Sequence, residues 1–177
     1  MFEAIEDNDI EKIEELINNG ANVNVRNKNG DTPLLCAVWD RNYKIIKLLI
    51  EHGAGINAKS INDNTPLHHV RSYKIAKLLI ENGADVNAKN IYGNTPLHCI
   101  DNYEIVKSLV DNNADVNAKN IDGWTPLHYV TSYEIAKLFI DNGANVNAKS
   151  SNGVMPLHHA IKYSRDINLI KLLLSYY

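Results

Sequence analysis

Hydrophobic and polar residues recur with helical spacing in five similar segments of the chain. The clearest segment is 43–50, Tyr-Lys-Ile-Ile-Lys-Leu-Leu-Ile, where lysines interrupt the apolar positions at intervals typical of an amphipathic helix. A polar residue of a type that caps helix N-termini precedes each segment. The segments therefore predict amphipathic helices, and the residues expected to cap them are Asn42, Ser72, Asn102, Ser132 and Asp166.

A shorter helix is predicted before each of these segments. Thr32 is a good N-cap, and Pro33 suits the first helical position because its missing backbone N–H would make no helical bond there. The same Pro-Leu step recurs after intervals of 33, 30, 30 and 30 residues, so the chain repeats one unit. These inner helices are predicted to begin at Pro33, Pro66, Pro96, Pro126 and Pro156.

The second, outer helix of each unit is predicted to end where the backbone turns left-handed, a conformation that glycine and asparagine tolerate. These positions are Gly53, Gly83, Gly143 and Asn113. Extended residues and then a turn such as Asn29-Gly30 or Asp122-Gly123 follow, which favours a β-hairpin. Each unit is therefore predicted to consist of inner helix, turn, outer helix and projecting hairpin.

These residues resemble the ankyrin repeat, and the likeness covers essentially the whole chain. It is clearest in Thr-Pro-Leu-His at 95–98, Ile-Val-Lys at 105–107, Ala-Asp-Val-Asn-Ala-Lys at 114–119 and Asp-Gly at 122–123. The resemblance implies an all-α ankyrin-repeat solenoid of helix-turn-helix units with projecting β-hairpin loops, forming a single domain over residues 1–177. Six repeats are expected, at about 1–28, 29–61, 62–91, 92–121, 122–151 and 152–177.

The middle repeats are three residues shorter than a typical ankyrin unit of about 33 residues. Nine positions separate Pro33 from the cap Asn42, but only six separate Pro66 from Ser72, so the loss lies in the inner helix and its turn. About 4.5 Å of inner helix is therefore missing. We expect a shallower or locally bent concave face over residues 65–154.

Composition indicates a folded, soluble protein. Hydrophobic residues make up 45% and charged residues 22%, and the net charge of −3 gives no general attraction to nucleic acid or an anionic membrane. Residues 1–6 do not resemble a secretory signal peptide, and no apolar run is long enough to span a bilayer. The two cysteines are assigned to different columns, where a column is the set of residues at one position of successive repeats, and this favours a reducing compartment. We expect a cytoplasmic location, in the host cytoplasm if the source is an intracellular bacterium or a virus.

The histidine and cysteine residues are the candidates for catalysis or metal binding. One histidine column cannot bring two rings onto a metal, because neighbouring helices lie about 8–10 Å apart. The ankyrin resemblance implies instead that each histidine bonds locally and steadies its turn. Cys36 is assigned to a core column with Val70, and Cys99 to a partly exposed column with His69 and Tyr129. We expect no enzymatic activity, no catalytic residue, no metal and no cofactor. The histidines in register are His68, His98, His128 and His158.

A row of basic residues could meet an acidic partner or a phosphate backbone. Its members alternate with acidic residues that end the outer helices, and the whole chain is acidic. We therefore interpret the row as a solvated part of the scaffold and nucleic acid as the weaker partner hypothesis. The row consists of Arg26, Lys59, Lys89, Lys119 and Lys149.

Columns that vary between repeats are free of scaffold duty and are candidate contact positions. Large aromatic side chains at such positions are typical of binding hot spots, so Trp39, Tyr92, Trp124 and Tyr129 are the expected anchors. The alternative is neutral variation, with some rings packed on neighbouring loop tips. If they are anchors, replacing Tyr92 and Trp124 should abolish partner binding and leave the thermal midpoint nearly unchanged. The complete predicted partner-binding set is Trp39, Asp40, Asn64, His69, Tyr92, Asn94, Trp124 and Tyr129.

The two ends of the repeat array differ in polarity. The first repeat has Lys12 and Glu15 where later repeats are apolar, as expected of a capping repeat. The last repeat shows no such change, so its edge is either self-capping or an apolar surface for self-association. A monomer is expected over a dimer. The residues of this possible self-association edge are Ile170, Leu173, Leu174, Tyr176 and Tyr177.

The leading functional hypothesis is a non-enzymatic protein-protein interaction module. It would bind a partner protein through hairpin tips and inner helices, and one setting for it is an effector acting in a host cytoplasm. One alternative is a targeting segment of a larger multidomain protein or enzyme. Another is a self-associating structural element built on the C-terminal edge.

Overall fold

The computed structural model describes residues 1–176, which group by their contacts into two units, the first Met1–Ile91 and the second beginning at Tyr92. Helices follow one another in the predicted order, and no strand forms within the described residues. The all-α class is therefore confirmed. The helices are α1 (Phe2–Glu6), α2 (Ile10–Asn18), α3 (Pro33–Trp39), α4 (Tyr43–Glu51), a 3-10 helix (Pro66–His69), α5 (Tyr73–Glu81), α6 (Pro96–Cys99), α7 (Tyr103–Asp111), α8 (Pro126–Tyr129), α9 (Tyr133–Asp141), α10 (Pro156–Tyr163) and α11 (Ile167–Leu174).

The inner helices differ in length as the spacing predicts. Helices α3 and α10 contain seven and eight residues, whereas the 3-10 helix, α6 and α8 contain four each. The short helices end in an extended residue such as Val70 or Val130. The three missing residues are thus confirmed to come from the inner helix, while their effect on the curvature of the surface stays a prediction.

Polar side chains cap four of the five outer helices in the predicted way. The side chains of Asn42, Asn102, Ser132 and Asp166 each accept a bond from the backbone N–H three residues later. Ser72 makes no such side-chain bond. At the other end, the predicted left-handed positions all have positive φ, from +65° at Asn113 to +87° at Gly83. Backbone geometry alone therefore explains these glycines and this asparagine.

The connections predicted as β-hairpins contain no strand within residues 1–176 and are simple turns. Backbone bonds close these turns, as between the N–H of Asn120 and the carbonyl of Trp124 and between the N–H of Gly123 and the carbonyl of Asn120, both at 3.0 Å. Successive loops are joined by another backbone bond, from Ile121 to the carbonyl of Tyr92 at 3.1 Å in the second unit. The loops are thus held by their neighbours.

The core is formed by apolar faces of the inner and outer helices. In the first repeat the corresponding surface is polar, because Lys12 and Glu15 are exposed and pair with each other, and Ile13 alone of α2 is buried. This agrees with the predicted capping repeat. No helix within residues 1–176 is both long and apolar enough to cross a membrane. The core residues of the first column of outer-helix positions are Ile45, Ile75, Ile105, Ile135 and Leu169.

Candidate binding surface

Threonine and histidine fix the start of the short inner helices. In α8, His128 Nδ1 accepts the backbone N–H of Thr125 at 3.0 Å and also lies 2.9 Å from its hydroxyl. His128 Nε2 lies 3.1 Å from the carbonyl oxygen of Val154 and donates to it, which links the helix to the next loop. Burial lowers the pKa of His128, so the neutral imidazole that these bonds require is favoured. The local role that the family resemblance implies for this histidine is therefore observed.

An aromatic cluster lies on the inner-helix side of the second unit and consists of Trp124, Tyr129, His159 and Tyr163. The Trp124 ring centroid lies 5.2 Å from that of Tyr129 and 5.1 Å from that of His159. His159 in turn lies 4.4 Å from Tyr163. Trp124 and His159 are half-buried, whereas Tyr129 and Tyr163 are 40% and 56% exposed. Two rings of the cluster are thus half-buried in the fold, and the other two are exposed to solvent.

Asparagine side chains hold the loops and the tyrosine of this cluster in place. Asn120 Nδ2 donates to the hydroxyl of Tyr129 at 3.0 Å and to the amide oxygen of Asn94 at 2.9 Å. Asn90 makes the equivalent bond to Asn64 at 2.8 Å in the first unit. Asn64 and Asn94 were predicted to contact a partner, but both are half-buried and their amide oxygens join consecutive loops. Both side chains therefore have a structural role, and their contact with a partner stays a prediction.

The first unit has a smaller counterpart of the aromatic cluster. Trp39, the last residue of α3, is 46% exposed, and its ring meets the edge of His69 at 5.3 Å between centroids. Asp40 follows it and is exposed. Three of the predicted contact residues are therefore brought together here, although His69 is itself half-buried.

The loop tips carry apolar side chains that the sequence reasoning missed. Tyr92 was singled out and is 51% exposed. The residue before each tip was not singled out, yet isoleucine recurs at this position and is exposed in three loops. The sequence did contain a sign of this apolar surface, because the same hydrophobic residue recurs at one position of otherwise polar turns. These residues are Ile61, Ile91 and Ile121.

Cys36 does not belong to the core column to which the sequence reasoning assigned it. It is the third residue after Pro33, as His69 is the third after Pro66, so the assignment was wrong by one position. It is accordingly half-buried, with Asn27 Nδ2 at 4.0 Å from its sulfur. Burial, assisted by the charge of Asp31, raises its pKa to about 11, so the thiol stays protonated and is a poor nucleophile. Within residues 1–176, no three histidine, cysteine or acidic side chains are placed to hold a metal ion.

The basic row and the charged residues of the outer helices both make contacts within the fold. Arg26 donates to the carbonyl oxygens of Gly30 and Lys59, and Lys59 donates to that of Lys89 at 3.2 Å. These contacts agree with the structural interpretation of the basic row. On the outer helices, lysine and acid pair one turn apart in exposed ion pairs. These pairs are Lys47–Glu51, Lys77–Glu81, Lys107–Asp111 and Lys137–Asp141.

The predicted C-terminal edge is only partly exposed. Leu173 is 1% exposed and belongs to the core, so its assignment to an accessible edge was wrong. Ile170 is half-buried, whereas Leu174 and Tyr176 are exposed. Tyr177 lies outside the described residues. Self-association through this edge would therefore depend on a smaller surface than the sequence suggested.

The chain matches the family model described as ankyrin repeats (three copies) over residues 1–90, 58–120 and 97–177. These ranges include both units and all the helices of residues 1–176. No curated protein matches the chain.

Proposed function

Because the chain belongs to the ankyrin-repeat family, whose members are generally protein-protein interaction modules, we propose that it binds a partner protein through its inner-helix side. The second unit supplies the main contact, through the exposed rings of the aromatic cluster. One observation carries this proposal: the two tyrosine rings of the cluster are exposed to solvent and pack against the half-buried rings of Trp124 and His159.

Tyrosine and tryptophan suit such a contact for physical reasons. Their rings bury a large area with few rotatable bonds, so less side-chain entropy is lost on binding. Tyr129 is already held by Asn120, and Tyr163 by its contact with His159. Their positions are therefore set before a partner arrives, which lowers the free-energy cost of association. Ile121, at a loop tip of the same unit, adds exposed apolar surface.

The outer helices offer a less suitable surface. Tyr103 is as exposed as Tyr129, at 40%, but it lies on α7, where Lys107 and Asp111 form an exposed ion pair at 2.7 Å. Binding there would remove water from charged groups for little gain in apolar contact. The matched exposure of Tyr103 and Tyr129 also makes Tyr103 a good control.

The proposal is tested by affinity capture from cell lysates, followed by binding measurements on the captured protein after purification. The double variant Tyr129→Ala/Tyr163→Ala should weaken that complex at least about tenfold, because hot-spot aromatics typically contribute 2 kcal/mol or more. Tyr103→Ala should leave the dissociation constant nearly unchanged. Circular dichroism of each variant verifies that the helices are retained.

Two results would contradict the proposal. One is a captured protein that binds the double variant as tightly as wild type, and the other is equal loss with Tyr103→Ala. In either case the contact surface would lie elsewhere.

A further inference from the structure

Asp31 is a buried carboxylate without a partner. The residue is 3% exposed, and its side chain makes neither an ion pair nor a hydrogen bond within residues 1–176. Two side-chain nitrogen or oxygen atoms of the described residues are fully enclosed and have no partner, namely His69 Nε2 and His159 Nδ1. The oxygens of Asp31 are not among them, so they still reach solvent. A carboxylate that is largely removed from water and unpaired is costly to the fold.

The reason that Asp31 is unpaired can be read from the neighbouring loops. Asn64 and Asn94 occupy the same position before the threonine of later units, and each accepts a bond from an asparagine of the next loop. The residue placed to make that bond to Asp31 is Ser60. The serine side chain is shorter than that of asparagine, and its hydroxyl instead accepts the backbone N–H of Asn62 at 3.3 Å. The first loop pair therefore lacks the bond that the next two pairs have.

Asp31 lies at one end of a surface that ends at Trp39. Helix α3 rises about 9 Å from Pro33 to Trp39, and Asp31 precedes it by two residues, of which Thr32 is extended, so the two ends lie about 9–16 Å apart. Cys36 and His69 lie between them. After burial, which has the largest effect, the carboxylates of Asp31, Asp40 and Glu6 all raise the pKa of the Cys36 thiol, so all three are close to it.

This end of the chain is strongly acidic. Residues 1–40 contain nine carboxylates and three cations, although the net charge of the whole chain is only −3. None of Glu6, Asp31 and Asp40 forms an ion pair within the described residues. The field over Trp39 and Cys36 is therefore negative.

We propose that the first unit binds an extended segment of the partner that carries two basic side chains. One pairs with the carboxylate of Asp31, and the other lies over the exposed ring of Trp39 beside Asp40. Arginine and lysine are attracted to tryptophan faces, and a charge-assisted bond would satisfy the buried carboxylate. A span of about 9–16 Å corresponds to basic residues about three to five positions apart in an extended peptide. This inference rests on the proposed function and specifies the chemistry of the partner.

Two arginines limit where the basic side chains can lie. Arg71 contributes to lowering the pKa of His69, after the larger effect of burial, and its guanidinium donates to the carbonyl of Val70 at 3.1 Å. Arg41 follows Asp40 and is exposed. The favourable positions for a cation are therefore on the Cys36 side of Trp39, facing Asp31 and Glu6.

The inference is tested with a random-peptide phage library selected on the immobilised wild-type chain. Arginine and lysine should be enriched at two positions about three to five residues apart. The selected peptides are then synthesised and titrated calorimetrically. Asp31→Asn should weaken binding at least about tenfold, because it removes a charge-assisted bond. Raising the salt from about 0.05 M to about 0.5 M should weaken wild-type binding as well.

Asp31→Asn should fold normally, since asparagine occupies the same position in the next two loops. Glu51→Gln removes the same charge from an exposed ion pair on α4 and should leave the affinity unchanged. Selected peptides without basic residues, or equal affinity for Asp31→Asn and wild type, would overturn the inference. If such peptides are lost with Tyr129→Ala/Tyr163→Ala, the proposed function stands without it. A selection that yields no peptide also overturns the inference, and the captured protein then decides the proposed function alone.

Discussion

Single residues on the inner-helix side serve the fold and the surface to different degrees. Trp124 contacts Tyr129, His159 and His128, so most of its ring is used in packing. Tyr92 is at a loop tip, where its backbone carbonyl accepts the N–H of Ile121. Both residues vary between repeats and both are aromatic, but only their three-dimensional surroundings distinguish their roles.

Replacing Trp124 by alanine should lower the free energy of unfolding by about 2 kcal/mol or more, because three ring contacts are lost and a gap opens beneath Tyr129. Tyr92→Ala should change it by less than about 0.5 kcal/mol. This differs from the expectation drawn from the sequence, in which the double variant keeps its thermal midpoint. Urea denaturation of each single variant measures the difference, and equal stabilities would show that the packing of Trp124 is unimportant.

At the scale of elements, the loops stabilise each other through close backbone contact. A Cβ added at Gly123 would lie 3.0 Å from the backbone nitrogen of Ser151, which is closer than side chains normally approach. At Gly153, the last loop of the described residues, a Cβ would meet nothing within 4 Å. The two glycines have nearly identical φ values, +74° and +73°. They differ only in the presence of a following loop.

Alanine substitutions at these two glycines therefore separate backbone strain from loop packing. Gly153→Ala should cost about 1 kcal/mol, the usual penalty for a left-handed alanine. Gly123→Ala should cost at least about 1 kcal/mol more, because the loop of Ser151 must also move. Chemical denaturation of both variants measures the two costs. Equal losses would mean that the loops do not need this close approach.

At the scale of the whole chain, the repeating pattern predicted much of the fold and less of the surface. Helix starts, helix ends and the shortened inner helices follow from local rules about proline, polar caps and glycine, as Pro66 and Gly83 show. The environment of Asp31 does not, because it depends on which side chain the next loop supplies. The column of Cys36 was misassigned by one position, although the count from Pro33 places it with His69. Contacts between loops and exact register are properties of packing, which one unit alone does not determine.

The histidines distributed along the chain make its stability depend on pH. Burial lowers the pKa of His69, His128 and His159 from the ordinary value of about 6.5. Their folded forms therefore bind fewer protons than the unfolded chain, so the free energy of unfolding must fall as the pH drops through about 6.5. Protonated His128 could no longer accept the N–H of Thr125, and the added proton on His159 Nδ1 would find no acceptor.

The urea midpoint should accordingly decrease between about pH 7.5 and about pH 5.5. Loss of the cap at Asp166 does not contribute in this range, because the backbone N–H of Tyr133 lowers its pKa further below the usual aspartate range. His159→Gln should reduce the slope, since it removes one titrating group from the core of the aromatic cluster, whereas the exposed His52→Gln serves as the control. A midpoint that stays constant or rises on acidification would show that the buried imidazoles are as easily protonated as those of the unfolded chain.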